Sequence, residues 1–393
     1  MSTAPFAGLR VLDWTDGGMR LAGRVLAQLG ADVVRVGRGE PGPAMHAHPG
    51  GILDWWFHPG TTIADLALDL PAGRAAFHEL AARADVLIES VAPGSKAAAL
   101  VDVEALRRLN PCLVHVSLTP FGRTGPRATW RGSDLVLGAM GGILSVSGTA
   151  DAPLNGWGRQ WENIGGLYAV IAALVGVGAV RTGANGMHFD LSLQHAAISC
   201  SEQVLMYGLF MGGLAPRQGA LHWTGLYDIL PCRDGHVMMT PTPAVDGFLA
   251  WLRRDGMAGS IGEAPPASPF EWFARSAEAM GVMRSWAAQQ SAEPTFYEGQ
   301  RRGLSFGLVR SVRQCAACPQ HEARRFVRPL AGTGVPSLAL PFRTSGDAGV
   351  DLEPPPAAAT PAPAILARWA ARAHAPGRPM GTKPLAGLRV LDF

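Results

Sequence analysis

Between residues 9 and 118, short runs of branched apolar residues alternate with segments of helical period, and this alternation restricts the fold more than any other feature of the sequence. LRVL at 9–12, DVVRV at 32–36, DVLIE at 85–89 and LVHVSL at 113–118 read as strands, while 20–29, 71–84 and 103–109 carry helical patterns. Strands that alternate with amphipathic helices run parallel and are joined by helical crossovers, so the pattern predicts an α/β fold with a Rossmann-like parallel sheet. No G-x-G-x-x-G follows any of the strands, and the dinucleotide fingerprint is therefore missing from a permissive layout.

A chain of 393 residues that is 48% hydrophobic and 17% charged has enough apolar surface for more than one core, which predicts two domains. Past the turn-rich FGRTGP at 121–126, helices are expected over 133–142 and from Glu162 onward, then a strand at 187–191 and a helix to about Tyr207. The apolar run 165–180 falls short of the ~20 residues a bilayer requires and reads as a buried core helix. From Leu226 the pattern changes to two strands around an Arg233-Asp234-Gly235 turn. The expected division is a large Rossmann-like domain over 1–225, a smaller α+β domain over 226–330 and a return segment over 331–349. After it come a Pro/Ala linker over 350–383, without regular structure at 350–363, and a second repeat copy opening at 384–393.

Charge and cysteine usage narrow the partners. The net charge of +3 is spread without basic blocks, which points to neither nucleic acid nor an anionic membrane surface. Lys96 and Lys383 are the only lysines, so a lysine phosphate loop is excluded, and arginine or backbone N–H groups would have to hold any phosphate. Five scattered cysteines predict a reducing, cytoplasmic setting. Cys315 and Cys318 form a CxxC without a second ligand pair, so no metal site is expected.

The stretch GRQWENIGGLYAV at 158–170 places one carboxylate, Glu162, at the start of the long apolar helix. A helix start offers unpaired N–H groups and partial positive charge, which favour an ionised carboxylate and can bind a developing oxyanion. Acyl transfer uses that combination, and complementing the helix dipole is the purely structural alternative. Trp161 either shapes a ligand pocket or lines the core. Arg123 either meets a phosphate or sits on an exposed turn, and Asp190 reads as the cap of the following helix.

Several segments, in order, resemble the family III CoA-transferases, also called the CaiB/BaiF family. They are AGLRVLDWT, LGADVVRV, ADVLIESVAPG, NPCLVHVSLTPFGRTGP, SDLVLGAMGGILSVSG, ENIGGLYAV and FDLSLQHAA, within the first 240 residues. The resemblance implies a large Rossmann-like domain, a small domain joined by two linkers and an interlocked dimer. It also implies a reaction in which a carboxylate attacks an acyl-CoA thioester, forms a mixed anhydride and then an enzyme-bound CoA thioester, and passes CoA to a second carboxylic acid. Acyl-CoA and a small carboxylic acid are then substrates, with no permanently bound cofactor.

The family's nucleophile motif, roughly A-D-L-T-A-G-L-Y, puts its aspartate on Glu162 here, a carboxylate one methylene longer. The resemblance assigns Asp16, Arg38, Ser90, Val91, Phe121, Gly122 and Arg123 to the CoA-binding edge. That edge also departs from the family: HPGTTIAD at 58–65, ahead of a strand expected at LALDL 66–70, has no positive charge, and Ser90-Val91-Ala92 replace the usual Asn-Phe and arginine. A racemase branch of the fold uses a histidine where this chain has Ser133, and serine cannot shuttle a proton near neutral pH.

PFAGLRVLDW at 5–14 returns as PLAGLRVLDF at 384–393, identical at eight of ten positions, which suggests the first half of a tandem duplication. Three functions stay open on the sequence: a CoA-transferase with Glu162 as nucleophile, a non-catalytic half that serves as partner ring for a second copy, and an acyl-CoA isomerase, racemase or lyase. The expected assembly is a homodimer, or a pseudo-dimer with the second copy.

Overall fold

A computed structural model describes residues 4–37, 56–213, 216, 217, 219, 227–240, 244–343, 351–356, 358–371, 377 and 384–392. Arg38 lies outside them. The expected strands form, each displaced by a residue or two: β1 (Arg10–Trp14), β2 (Asp32–Gly37), β4 (Val86–Glu89), β5 (Val114–Thr119) and β6 (His188–Ser192). Helices α1 (Leu21–Gln28), α2 (Pro71–Arg83), α3 (Val103–Leu109), α4 (Asp134–Met140), α5 (Gln160–Arg181) and α6 (Leu193–Ser199) connect or follow them.

The third strand differs from the reading at 66–70. β3 is Thr61–Asp65, paired in parallel with Val33–Gly37 of β2. Gly60, at φ +72°, turns the chain into it, and Leu70 already caps α2, whose first residue is Pro71. LALDL is therefore used up by the turn between strand and helix, with Leu68 N donating to Leu66 O and Leu70 N to Ala67 O.

Within the 350–383 segment, residues 360–369 are not a free linker. Thr360–Pro361 pairs in parallel with Ala64–Asp65 at the edge of β3, where a proline's missing donor is tolerated. Helix Ala362–Arg368 then follows and buries Ala362 and Ile365, and Trp369 is 1% exposed. The result is a seven-stranded sheet in the order Thr360–Pro361, β3, β2, β1, β4, β5, β6, with every neighbour parallel. Val11, Val33, Ile88, Val114 and Val116 pack one face against Leu26 of α1 and Ala169, Ala173 and Val177 of α5. Leu12, Val34, Ala64 and Leu87 pack the other face against Phe77, Leu80, Leu106 and Trp369.

Helix α5 is 22 residues, longer than its apolar run, and by length and composition alone it is long and apolar enough to cross a membrane. Gly165, Gly166, Ala169, Ala173, Gly176 and Val177 are nevertheless buried. A Cβ at Gly176 would lie 2.9 Å from Val114 Cγ2, so small residues let α5 lie close on β5.

The chain divides into two compact units: Met1–Ile143, Gly156–Glu202 and Glu322–Phe393 in the first, Leu144–Asn155 and Gln203–His321 in the second. The second starts earlier than Leu226 and includes Leu144–Asn155. That loop is tied to Arg217 and Gly219, with Arg217 donating to Thr149 O at 3.0 Å and Gly219 N to Gly148 O at 2.9 Å. The helix expected to reach Tyr207 breaks at Cys200–Ser201 into α6 and Glu202–Met211. The hairpin forms as expected, Asp228–Cys232 against Gly235–Met239, and the second unit has its own core around Phe248, Trp251, Trp286 and Phe306.

Candidate active site

The strand order reverses between β1 and β4, since the chain runs outward through β2 and β3 and then returns to β4 on the other side of β1. The crevice beyond the carboxyl ends of strands at such a reversal is where open α/β sheets bind ligands. Asp16 and Ser90 meet there, with Asp16 N donating to Ser90 Oγ at 2.9 Å. The Asp16 carboxylate caps the turn Gly17–Arg20 and pairs with Arg20 at 2.8 Å.

Glu162 is aimed at this turn. Its Oε2 accepts the Gly18 N–H at 2.7 Å, and Arg159 Nη1 stands 3.3 Å away. The Glu162 side chain is only 13% exposed, against 52% for Arg159. Gly17 has φ +55°, and a Cβ there would collide with the Glu162 carboxylate; one at Gly18 would stand 3.0 Å from Glu162 Cβ. Two consecutive residues without side chains make room for the longer acid.

The helix start itself is already occupied. Asp134 Oδ1 accepts both the Trp161 N–H at 2.8 Å and the Glu162 N–H at 3.2 Å. The first N–H groups of α5 therefore serve Asp134, and Glu162 turns away from its own helix axis to the Gly18 amide. Asp134 was missed as a site residue by the sequence reading. Its signal was its place at the start of α4, where Ser133 caps the helix and leaves the next carboxylate free to reach α5. Trp161 is 8% exposed and belongs to the core, as its structural reading held.

Beyond β1 to β4 lies a cavity of about 860 Å³ lined by Trp14, Val36, Gly37, Leu66, Leu68, Asp69, Arg74, Lys96, Ala97, Ala99 and Leu100. It is apolar at the sheet and carries two cations. Arg74 donates to Leu68 O and Asp69 O, and Lys96 has no ion-pair partner among the described residues. Neither was singled out from sequence for this site, because cations contributed by a helix and a loop have no fixed spacing from the strands.

Val91, Phe121, Gly122 and Arg123 surround a different cluster, at the ends of β4, β5 and β6. Glu89, His115 and Ser117 are all buried. Glu89 Oε1 takes the Ser117 hydroxyl, Arg123 Nη1 at 3.2 Å and His115 Nε2 at 3.3 Å, and Oε2 takes Val91 N at 2.6 Å. His188 Nε2 lies 2.9 Å from Ser117 Oγ. Burial, helped by His115 and Arg123, pulls the His188 pKa down to about 4, so its ring is neutral at neutral pH. Arg123 thus points inward to Glu89. Phe121 is buried, and Gly122 at φ +86° allows the tight turn that brings Arg123 N onto both Asp190 oxygens at 2.9 and 3.0 Å. Asp190 accordingly clamps this loop and does not cap α6; that cap is Ser192 Oγ, 3.3 Å from His195 N. The alternation of His115 and Ser117 along β5 was the signal available for this cluster, since both fall on one face of the strand.

Across residues 6–360 the chain matches the model of CoA-transferase family III, and it belongs to that family. Among its relatives, the succinyl-CoA:(R)-benzylsuccinate CoA-transferase subunit of Thauera aromatica is 27% identical over 347 residues, covering 82% of each chain. The succinate–glutarate CoA-transferase of Agrobacterium fabrum is 26% identical over 367 residues, 86% of this chain and 89% of that one. A probable CoA-transferase of Mycobacterium tuberculosis is 29% identical over 415 residues, which cover 98% of this chain and 50% of that protein. The crystal structure of a CaiB/BaiF family protein from Brucella suis superposes with a TM-score of 0.78 at 26% identity, covering 93% of this chain and 100% of that one.

Proposed function

We propose that this chain moves CoA from an acyl-CoA thioester to a carboxylic acid, with Glu162 as the nucleophile. The observation that carries the reading is a glutamate carboxylate in the first turn of a helix, held by the Gly18 amide beside the sheet's reversal point. The carboxylate attacks the thioester carbonyl, a C–O bond forms, the C–S bond breaks, and CoA leaves as thiolate. The thiolate then attacks the Glu162 acyl carbon of the anhydride and expels the donor acid as carboxylate, leaving glutamyl-CoA. An acceptor carboxylate repeats the sequence in reverse and restores Glu162. The 860 Å³ cavity, with Lys96 in its lining, supports binding of the nucleotide end of CoA, and Asp16 and Ser90 meet at the sheet's reversal point. Relatives named for succinyl-CoA make it the first donor to try.

Glu162→Gln keeps the shape and removes the nucleophile. CoA exchange between succinyl-CoA and a dicarboxylic acid is expected to fall by at least about 1,000-fold. Retained exchange would rule out Glu162 as the nucleophile.

The repeat favours a second reading, in which this chain is one ring of a tandem protein and a second copy performs the chemistry. Pro384–Gly387 repeats the turn of Pro5–Gly8, with Leu388 N donating to Leu385 O as Leu9 N does to Phe6 O. Leu388, Val390 and Leu391 are 65%, 74% and 84% exposed, where Leu9, Val11 and Leu12 are buried. The M. tuberculosis relative of twice the matched length supports it. The exposed Leu167, Tyr168 and Ile171 of α5 support a partner ring in either case. Full activity of a longer protein carrying Glu162→Gln would establish this second reading.

A further inference from the structure

We infer that Arg159 is the carboxylate-recognition residue of the reaction and alternates between Glu162 and the substrate acid. The inference rests on the nucleophile reading of Glu162. Arg159 precedes α5 and folds back over its first turn, bringing Nη1 to 3.3 Å from Glu162 Oε2. Among the described residues this is its one ion pair, and the side chain is 52% exposed. A guanidinium carries five N–H donors and stays protonated at any working pH. Only one of its nitrogens faces Glu162, so the rest of the fork opens to solvent at the mouth of the site.

The charge on Glu162 changes during the proposed cycle, and the charge on Arg159 does not. When the Glu162 carboxylate becomes an anhydride or a thioester it turns neutral, and the attraction that held Arg159 is lost. While Glu162 is the neutral CoA thioester a free carboxylate is present in each half-reaction, the donor acid just expelled or the acceptor acid about to attack; at the anhydride stages the free anion is the CoA thiolate. An attacking carboxylate has to approach the Glu162 acyl carbon to about 3–3.5 Å, which places it within reach of the same guanidinium. A planar guanidinium binds a carboxylate through two parallel N–H donors, with a preference over neutral nucleophiles. Arg159 is then the counter-ion of Glu162 in the resting enzyme and of the free substrate acid at the glutamyl-CoA stage.

The test separates discharge of glutamyl-CoA by a carboxylate from discharge by a neutral nucleophile. The enzyme is charged with succinyl-CoA, and loss of the thioester is followed with glutarate or with hydroxylamine. In Arg159→Ala the glutarate KM is expected to rise about 10- to 100-fold, the scale of one charge-assisted pair, while hydroxylamine discharge changes less than about 3-fold. Arg159→Lys keeps the charge without the fork, so its glutarate KM falls between the two. Equal losses with both nucleophiles, or an unchanged glutarate KM, would overturn the role of Arg159 and leave Glu162 standing. If the unsubstituted enzyme forms no glutamyl-CoA, the nucleophile reading fails and the role of Arg159 fails with it.

Discussion

At the scale of single residues, the candidate site turns on the reach of one glutamate side chain and on two side chains that are absent. Glu162 reaches the Gly18 amide at 2.7 Å because neither Gly17 nor Gly18 puts a Cβ in its path. Gly17→Ala tests this fit. Its φ of +55° makes any Cβ unfavourable, and that Cβ would push on the carboxylate. Chemical denaturation should show a loss of about 1–2 kcal/mol, and turnover should drop by about 100-fold, as expected for a nucleophile displaced on the ångström scale. Loss of stability with unchanged turnover would mean that the glycines serve the turn alone. Glu162 was legible in the sequence through its place at the head of an apolar helix. The contacts it makes were not: Gly18 lies 144 residues away in the chain, and Asp134 takes the helix-start N–H groups that Glu162 was expected to use.

At the scale of elements, the apolar alternation located most strands and helices because the central strands β1, β2, β4 and β5 are largely buried. β3 escaped because TTIAD is polar at its start and end while the neighbouring LALDL alternates better, yet LALDL runs directly into the Pro71 helix start. The edge at 360–369 escaped for a related reason. Proline-rich composition argues against regular structure, but Thr360–Pro361 needs only one exposed edge and Trp369 supplies the anchor. Trp369 Nε1 donates to Asp32 Oδ2 at 2.7 Å, and Arg368 pairs with Asp32 Oδ1 at 2.8 Å. Replacing a fully buried tryptophan with alanine costs about 3–5 kcal/mol. Trp369→Ala should therefore lower the denaturation midpoint markedly, whereas a free linker would tolerate it without change.

At the scale of the whole molecule, the sheet gathers buried polar groups from three neighbouring strands, and these link stability to pH. His188 has its pKa drawn from 6.5 down to about 4, chiefly by burial and then by His115 and Arg123. His58 is drawn down to about 3 by burial and by Arg35 and Arg20. A histidine held neutral in the fold contributes no penalty above about pH 6.5. As pH falls from there towards 4, the unfolded chain takes up a proton that the folded His188 refuses, so stability declines; below about 4 the contribution of His188 levels off. Denaturation midpoints between pH 7 and 4 should fall less steeply in His188→Gln, and an identical slope would show that His188 is not a source of the decline.

The same gathering of strand ends places Glu162 beside the crevice where CoA would lie, and the central claim is that this carboxylate becomes covalently bonded to CoA. Its most direct measurement is peptide mass spectrometry of the chain after incubation with succinyl-CoA. The predicted result is a CoA thioester on Glu162, converted by hydroxylamine to the hydroxamate and absent in Glu162→Gln. CoA transfer that proceeds with Glu162 unmodified at every time point would contradict the account.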